Sequence, residues 1–333
     1  MSNSSGDVPI LIEVDGLSKS YGTTRAVNAI SFQVPKGEVL GFLGPNGAGK
    51  STTMKMLTCF LAPTGGRAKV AGFDVYTQPL EVRRRIGYLP EETPLYRDML
   101  VLEYLDYVTE LRRVPGAERR ARIKRIGEVT GIMGVLGKRI GELSRGFRQR
   151  VGLTQAMVHD PEILILDEPT SGLDPNQIVE IRELIKQLGR EKTVILSTHI
   201  LPEVEATCSR VVIISDGRLV ADGRPGDLVA REHANKFRVL IEATEAAAAA
   251  VVRATLEGIA GVRSVSEDPS ETGTLQLTVT SDGARDLRRE LFRAAVDNNW
   301  PLLELDRREA SLEEVFARLT KSEKPAAATQ EAA

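Results

Sequence analysis

The chain has 333 residues, which is long for one domain and ample for two. Its 44 Lys and Arg residues against 46 Asp and Glu residues leave a formal charge of -2, so no overall basic excess points to a polyanionic partner. No stretch approaches the roughly 18 apolar residues that a membrane-spanning helix needs, and the start of the chain lacks the pattern of a secretory signal. Its two cysteines form no CxxC pair. We therefore expect a cytosolic protein.

Up to about residue 230, predicted strands alternate with predicted helices. Apolar runs predict strands at 10–14, 26–34, 39–43, 163–166, 194–196 and 211–214. A glycine-rich loop follows the third of these strands and leads into a predicted helix at 50–61. Asp216-Gly217, directly after the last strand, is a typical hairpin turn. This order predicts an α/β domain over residues 1–230.

A helical subdomain interrupts this alternation at about 92–160. Apolar side chains recur there at three-residue steps in two places: Leu102, Leu105, Val108 and Leu111, then Ile123, Ile126 and Val129. The spacing predicts amphipathic helices, each with one face toward the protein interior.

A second, smaller unit is predicted from residue 235 onward. Its pattern predicts strand, helix, strand, strand, helix and strand at 237–241, 244–257, 262–265, 274–280, 284–297 and 302–305. The order βαββαβ suits a small α+β domain of the ferredoxin-like kind over 235–320, closed by a helix at 312–319. We expect residues 321–333 to be a disordered tail.

One glycine-rich segment carries the strongest chemical pattern in the sequence. It matches G-x-x-x-x-G-K-[ST] and stands between a predicted strand and a predicted helix, as a phosphate-binding P-loop requires. Its backbone N–H groups can surround phosphate oxygens, Lys50 can reach the β- and γ-phosphates, and the Ser51 hydroxyl can ligate Mg²⁺. We assign to nucleotide binding Gly44, Pro45, Asn46, Gly47, Ala48, Gly49, Lys50, Ser51 and Thr52.

Two acidic residues complete the same predicted site. Four apolar residues at 163–166 bring Asp167 to the end of a buried strand, where its carboxylate can hold the Mg²⁺ shell. The adjacent Glu168 can orient or deprotonate an attacking water. Together with the P-loop, this pair predicts an ATP- and Mg²⁺-dependent phosphoryl-transfer site.

A third motif lies between the first two. The segment from Leu143 to Arg150, LSRGFRQR, begins 92 residues after Ser51 and resembles the LSGGQ signature of ABC ATPases. Arg145 and Phe147 depart from the strict pentapeptide. Ser144 and Gly146, at the start of a predicted helix, offer a hydroxyl and backbone N–H groups to an anion. The resemblance implies that this anion is the γ-phosphate bound by a second copy of the chain.

Further residues follow in the order of the ABC ATPase family. The segment that ends in Asp174 resembles the D-loop, His199 resembles the switch histidine that contacts the γ-phosphate, and Tyr21 resembles the aromatic residue that stacks on adenine. Glu91 occupies the Q-loop position, where many members carry glutamine. It can ligate Mg²⁺ or accept a hydrogen bond from water, but it has no N–H₂ to donate. The resemblance assigns catalytic roles to Glu168, His199 and Glu91, and metal ligation to Ser51, Glu91 and Asp167.

The stretch GYLPEETPLYRDMLVLEYL resembles ATPase subunits of ABC exporters of the gliding-motility type. That resemblance implies a homodimer around two ATP–Mg²⁺, polytopic transmembrane permease subunits as partners, and a location on the inner face of the cell membrane. It also relates the C-terminal domain to the appendage of these exporters. We expect this domain to brace the dimer, and a role in sensing a ligand is compatible with the exporter function. The alternative is a soluble ABC ATPase that acts on ribosomes or nucleic acid. We do not expect nucleic-acid binding, because the chain has a single set of motifs.

Two groups of basic residues stand outside these motifs. Arg119, Arg120, Arg122, Lys124 and Arg125 are expected on the solvated face of a helix, since no aromatic residues alternate with them. Arg83–Arg85 precede the Q-loop and face either a protein partner or the membrane surface.

Overall fold

The computed structural model describes residues 8–231, 236–242, 249–270, 272–282, 285–308 and 312–321. The chain divides into two compact units, the second of which is Gly226–Arg318. The tail predicted at 321–333 lies, from residue 322 on, outside the described residues, as does the predicted start of the helix at 244–257.

The first unit contains two sheets and a set of helices. Its strands are β1 (Ile10–Tyr21), β2 (Thr24–Pro35), β3 (Val39–Leu43), β4 (Gly65–Val70), β5 (Phe73–Asp74), β6 (Ile86–Leu89), β7 (Ile163–Asp167), β8 (Thr193–Thr198), β9 (Arg210–Ser215) and β10 (Arg218–Gly223). Its helices are α1 (Lys50–Leu57), α2 (Pro79–Arg85), α3 (Val101–Leu111), α4 (Gly116–Thr130), α5 (Arg145–Met157), α6 (Pro175–Gly189) and α7 (Leu201–Thr207). Helix α8 (Pro225–Arg231) follows.

The larger sheet positions the predicted site. Its order is β10-β9-β3-β8-β7-β6, and all neighbours are parallel except β10, which pairs antiparallel with β9 through the predicted turn. Every residue of β3, β7 and β8 is buried, because both faces of this sheet are covered. The carboxyl ends of these parallel strands meet at one edge, where loops carry the polar motifs.

The second sheet, β2-β1-β4-β5, is antiparallel and lies against α1 and the larger sheet. One core joins the three layers, with Phe32 and Phe42 at a ring-centroid distance of 5.7 Å. Strand β1 continues past the predicted Val14 to Tyr21 by means of register shifts against β2. Helix α1 ends at Leu57 rather than at Leu61 because Cys59 takes a φ of 58°, which stops the helix.

The helical subdomain has its own core, formed by α3, α4, α5 and nearby turns. The expectation that a three-residue step stays on one buried face was wrong at its ends: Leu111 is 62% exposed and Val129 is 36% exposed. Three residues turn an α-helix by 300°, so the stripe drifts by 60° at each step and leaves the core within two or three steps. The buried face of α3 is instead formed by Val101, Tyr104, Leu105 and Val108.

The second unit forms an antiparallel sheet with helices on one face. Its elements are β11 (Lys236–Glu242), α9 (Ala249–Glu257), β12 (Val262–Asp268), β13 (Thr274–Ser281), α10 (Arg288–Asp297), β14 (Leu302–Arg308) and most of α11 (Leu312–Lys321). The sheet order β12-β13-β11-β14 is that of a ferredoxin-like sandwich. Its core includes Phe237, Leu277, Leu291 and Trp300.

Candidate active site

The glycine-rich loop between β3 and α1 is anchored to the strand ends on both sides. The N–H of Gly44 donates to the carbonyl of Thr198 at 3.3 Å. Gly47 and Gly49 have φ angles of +83° and +106°, a region that favours glycine. A Cβ atom on Gly44 would lie 2.5 Å from the carbonyl oxygen of Ile214, and one on Gly49 would lie 2.5 Å from that of Ala26. The loop therefore keeps its shape only with glycine at these positions.

This loop fits a phosphate group. Within the described residues, the backbone N–H groups of Gly47, Gly49, Lys50 and Ser51 make no hydrogen bond. They lie at the amino end of α1, whose first turn carries no acidic residue. Unpaired N–H groups at a helix amino end bind phosphate oxygens, so the loop supplies donors and a favourable dipole together.

Lys50 provides the positive charge of the site. Its side chain is only 6% exposed, and its Nζ donates to the carbonyl of Gly44 at 2.8 Å. The same Nζ lies 3.2 Å from Oε1 of Glu168, which is also buried. The lysine is thus held inside the loop by a carbonyl and a carboxylate, at hydrogen-bonding distance from both.

Asp167 and Glu168 lie where β7 ends. Oδ1 of Asp167 accepts hydrogen bonds from Ser51 Oγ at 3.2 Å and from Ser197 Oγ. Burial raises the pKa of Asp167, while these two hydrogen bonds act in the opposite direction. Because Ser51 and Asp167 present oxygens so close together, they can ligate one cation.

Glu168 takes an unusual backbone conformation, with a φ of +49°. Its N–H donates to both the carbonyl and the hydroxyl oxygen of Ser197, each at 3.1 Å, which holds the strained residue in place. Its second carboxylate oxygen, Oε2, lies 2.9 Å from Nδ1 of His199. Glu168 therefore joins the P-loop lysine to the histidine at the end of β8.

Lys50, Ser51, Glu168 and His199 line one open cleft of about 420 Å³. Its walls are Ala26, Asn46, Gly47, Gly49, Lys50, Ser51, Thr52, Glu91, Glu168, Ser171 and His199. The described residues contain no group of three or more His, Cys, Asp or Glu side chains able to hold a metal by themselves. A Mg²⁺ ion bound here would complete its shell with water and phosphate oxygens, which is the usual chemistry of Mg²⁺ at nucleotide sites.

Other predicted site residues lie elsewhere. Ser144 caps α5, where its Oγ accepts from the N–H of Phe147 at 3.3 Å, and it lines a separate groove together with Gly146. Asp174 caps α6 by accepting from the N–H of Gln177 at 3.0 Å. Tyr21 is 51% exposed at the β1–β2 turn, with Lys19 Nζ at 5.5 Å from its ring centroid, and it does not line the cleft.

Sequence reasoning missed three residues of the site. Ala26 and Ser171 line the cleft, and Ser197 orients both Asp167 and the backbone of Glu168. A polar residue at the end of the apolar strand β8 was the available sign for Ser197. Nothing in the local sequence marks Ala26, because its place depends on how β2 lies beside the loop.

The chain is similar to ATP-binding proteins of ABC transporters. A family model described as ABC transporter matches residues 27–171. The chain is 42% identical over 201 residues to the ABC transporter ATP-binding protein NatA of Bacillus subtilis, covering 60% of this chain and 82% of that protein. It is 30% identical to the linearmycin resistance ATP-binding protein LnrL of the same organism, over 93% of this chain and 98% of that one.

Solved structures agree in fold. The structure of an ATP-binding subunit of an ABC transporter matches with a TM-score of 0.61 and 31% identity, covering 66% of this chain and 92% of that chain. The chain thus matches most of the length of each of these proteins. It also contains a P-loop with unpaired N–H groups, an Asp-Glu pair at a strand end and a histidine in contact with the glutamate. The chain belongs to the ATP-binding, ATP-hydrolysing subunits of ABC transporters.

Proposed function

We propose that the chain is the ATPase subunit of an ABC exporter, in which two copies close around two ATP–Mg²⁺ and drive separate transmembrane subunits. The proposal of a dimer rests on one observation, which is that the predicted ATP-binding residues lie in two separate grooves. Ser144 and Gly146 lie in a groove apart from the P-loop cleft of their own chain. They can act on ATP by facing the cleft of a second copy.

The proposal gives each predicted site residue a definite task. The N–H groups of the P-loop and Lys50 bind the phosphates. Ser51, Asp167 and Glu91 would hold Mg²⁺, which would neutralise charge on the phosphates. Lys50 exchanges its contact with Glu168 for phosphate oxygens. Glu168 is then able to orient a water and accept its proton. His199 is able to contact the γ-phosphate. Tyr21 stacks on adenine, and Asp174 couples the two sites of the dimer.

The permease partners are inferred from the resemblance to exporter ATPases. No helix among the described residues is long and apolar enough to span a bilayer. Similar proteins include a Nod factor export ATP-binding protein of Paraburkholderia xenovorans and a bacitracin transport ATP-binding protein of Bacillus licheniformis, 39% and 37% identical to this chain. These names support export as the direction. Polytopic permease subunits as partners and the inner face of the membrane as the location follow from the resemblance to exporter ATPases.

We also propose that residues 1–230 form the ATPase domain and 235–320 an accessory domain. Separate cores support this division: one joins the two sheets of the first unit, and another lies wholly within 237–305.

Copurification tests the transporter role. The tagged chain is recovered from membranes in mild detergent, and its companions are identified by mass spectrometry, with untagged cells as the control. We expect a polytopic protein in near-equal amount. Recovery in the soluble fraction together with ribosomal proteins or nucleic acid would contradict the proposal and favour the soluble alternative.

A further inference from the structure

The start of α5 rests on the loop that follows Glu168 in the same chain. Gln149, a buried residue of α5, donates from Nε2 to the carbonyl of Pro169 at 2.8 Å. One turn earlier, a Cβ atom on Gly146 would lie 2.6 Å from Oε1 of Gln177. The signature segment is therefore in direct contact with the loop 169–174 and with the first turn of α6.

Arg145 makes the third of these contacts. Its guanidinium lies against Gly172, because a Cβ atom added there would be 2.2, 2.4 and 2.5 Å from Cζ, Nη1 and Nη2 of Arg145. All three atoms are near that one point, so the flat guanidinium covers the glycine. Gly172 has a φ of +68°, which also favours glycine. No side chain fits at 172 while Arg145 remains in place.

The residue that makes this contact departs from the family signature, which has glycine at the position of Arg145. Arg145 forms no ion pair with a described carboxylate, although it lines one groove with Glu91, Glu92 and Arg97. Its guanidinium packs on Gly172 without a charge partner among the described residues, and both residues are exposed to solvent. Arginine suits this role because its planar group stacks on flat surfaces and keeps its charge.

We propose that Arg145 is a positioning residue for ATP hydrolysis, which holds the start of α5 against the loop that follows Glu168. Only three residues separate Glu168 from Gly172, so the contact links the signature to the hydrolytic end of β7. The inference rests on the proposed dimer, where Ser144 and Gly146 face the partner's ATP. Through Arg145, the position of Ser144 and Gly146 at the partner's ATP is linked to the position of Glu168 in their own subunit.

The first test compares Arg145→Ala with Arg97→Ala, which removes a positive charge from the same groove without a contact to Gly172. We expect Arg145→Ala to lower kcat about tenfold, because small misplacements of reacting groups cost that much or more. The Kd for a fluorescent ATP analogue should stay within about twofold, since the P-loop is untouched. Arg97→Ala should change neither quantity, and Arg145→Lys should recover part of the loss.

A second variant makes the test independent of Arg145 itself. Gly172→Ala displaces the guanidinium and should also lower kcat. In a double-mutant cycle, the effect of Gly172→Ala should be smaller when Arg145 is already alanine, because the displaced contact is then absent. Purely additive effects would overturn the assigned contact.

The proposal is overturned if Arg145→Ala leaves kcat unchanged, or if nucleotide affinity and Tm fall along with kcat, since that shows a general structural role. Failure of the dimer is a separate result. If Glu168→Gln protein stays monomeric in saturating ATP–Mg²⁺, then the proposed function fails, whatever the Arg145 variants do.

Discussion

At the scale of single residues, Glu168 is the centre of the site. It contacts Lys50 through one carboxylate oxygen and His199 through the other, and two hydrogen bonds from its N–H hold a strained backbone. The sequence predicted Lys50 and Glu168 as one site from their motifs, and its resemblance to ABC ATPases added His199. It could not predict the contact of Arg145 with Gly172, which depends on the packing of the helical subdomain on a distant loop.

His159, outside the site, shows what burial does to a single ionisable group. Its Nε2 contacts the carbonyl of Ile86 at 3.0 Å, and its Nδ1 has no partner within the described residues. Burial lowers the pKa of His159 from 6.5 to about 4, and the nearby positive charge of Arg112 contributes in the same direction. The folded protein thus keeps this ring neutral at pH 5, where the unfolded chain protonates it.

Stability should therefore fall as the solution is acidified below pH 6.5. By linkage, His159 lowers the free energy of unfolding by about 2 kcal/mol between pH 7 and pH 5. Urea unfolding followed by circular dichroism at the two pH values measures this difference. His159→Gln should remove most of it. An equal acid-induced loss in the original and substituted proteins would contradict the assignment.

At the scale of elements, the hairpin between β9 and β10 supports the P-loop from outside. The N–H of Gly217 donates to the carbonyl of Ala48 at 3.1 Å, and the N–H of Asn28 donates to the carbonyl of Gly217 at 2.8 Å. The turn Asp216-Gly217 was predicted from sequence as a connection only. The turn braces the P-loop because β9 pairs with β3, which places Gly217 beside the loop.

Gly217→Ala should disturb both stability and nucleotide binding. A Cβ atom there would lie 2.9 Å from the carbonyl oxygen of Ala26, and φ is +75°. We expect a loss of about 1–3 kcal/mol in the free energy of unfolding and weaker binding of ATP. Gly116→Ala is the matched control, since Gly116 lies at the start of α4 with open space around its Cβ position. Equal behaviour of the two variants would refute the bracing role.

The predicted elements were right in kind, and their errors have physical causes. Strands β3, β7, β8 and β9 of the larger sheet were predicted correctly, because runs of apolar residues are needed when both faces of a sheet are covered. Strand β6, which has only four residues, was not predicted. Helix ends were less accurate, as at Leu57, where the left-handed backbone of Cys59 ends α1. Leu111 was placed on a buried face by counting steps of three, which the 3.6-residue turn does not sustain.

At the scale of the whole molecule, the two-domain proposal predicts that a chain ending at residue 230 folds and hydrolyses ATP. The reason is that its core draws on strands and helices of the first unit alone. Circular dichroism and ATPase assays on the shortened chain measure both properties. Trp300, the single tryptophan, is buried in the second unit, so its fluorescence reports that unit in the full chain. Unfolding of the shortened chain would contradict the boundary.

The central claim is that two copies enclose ATP, and Glu168→Gln tests it most directly. Glutamine keeps an oxygen for Lys50 but cannot accept the proton of an attacking water, so ATP should persist and hold the dimer closed. Light scattering of the purified protein in saturating ATP–Mg²⁺ should give twice the mass of one chain. The same protein carrying Lys50→Ala as well should remain a monomer. A single-chain mass for Glu168→Gln itself under these conditions would contradict the account.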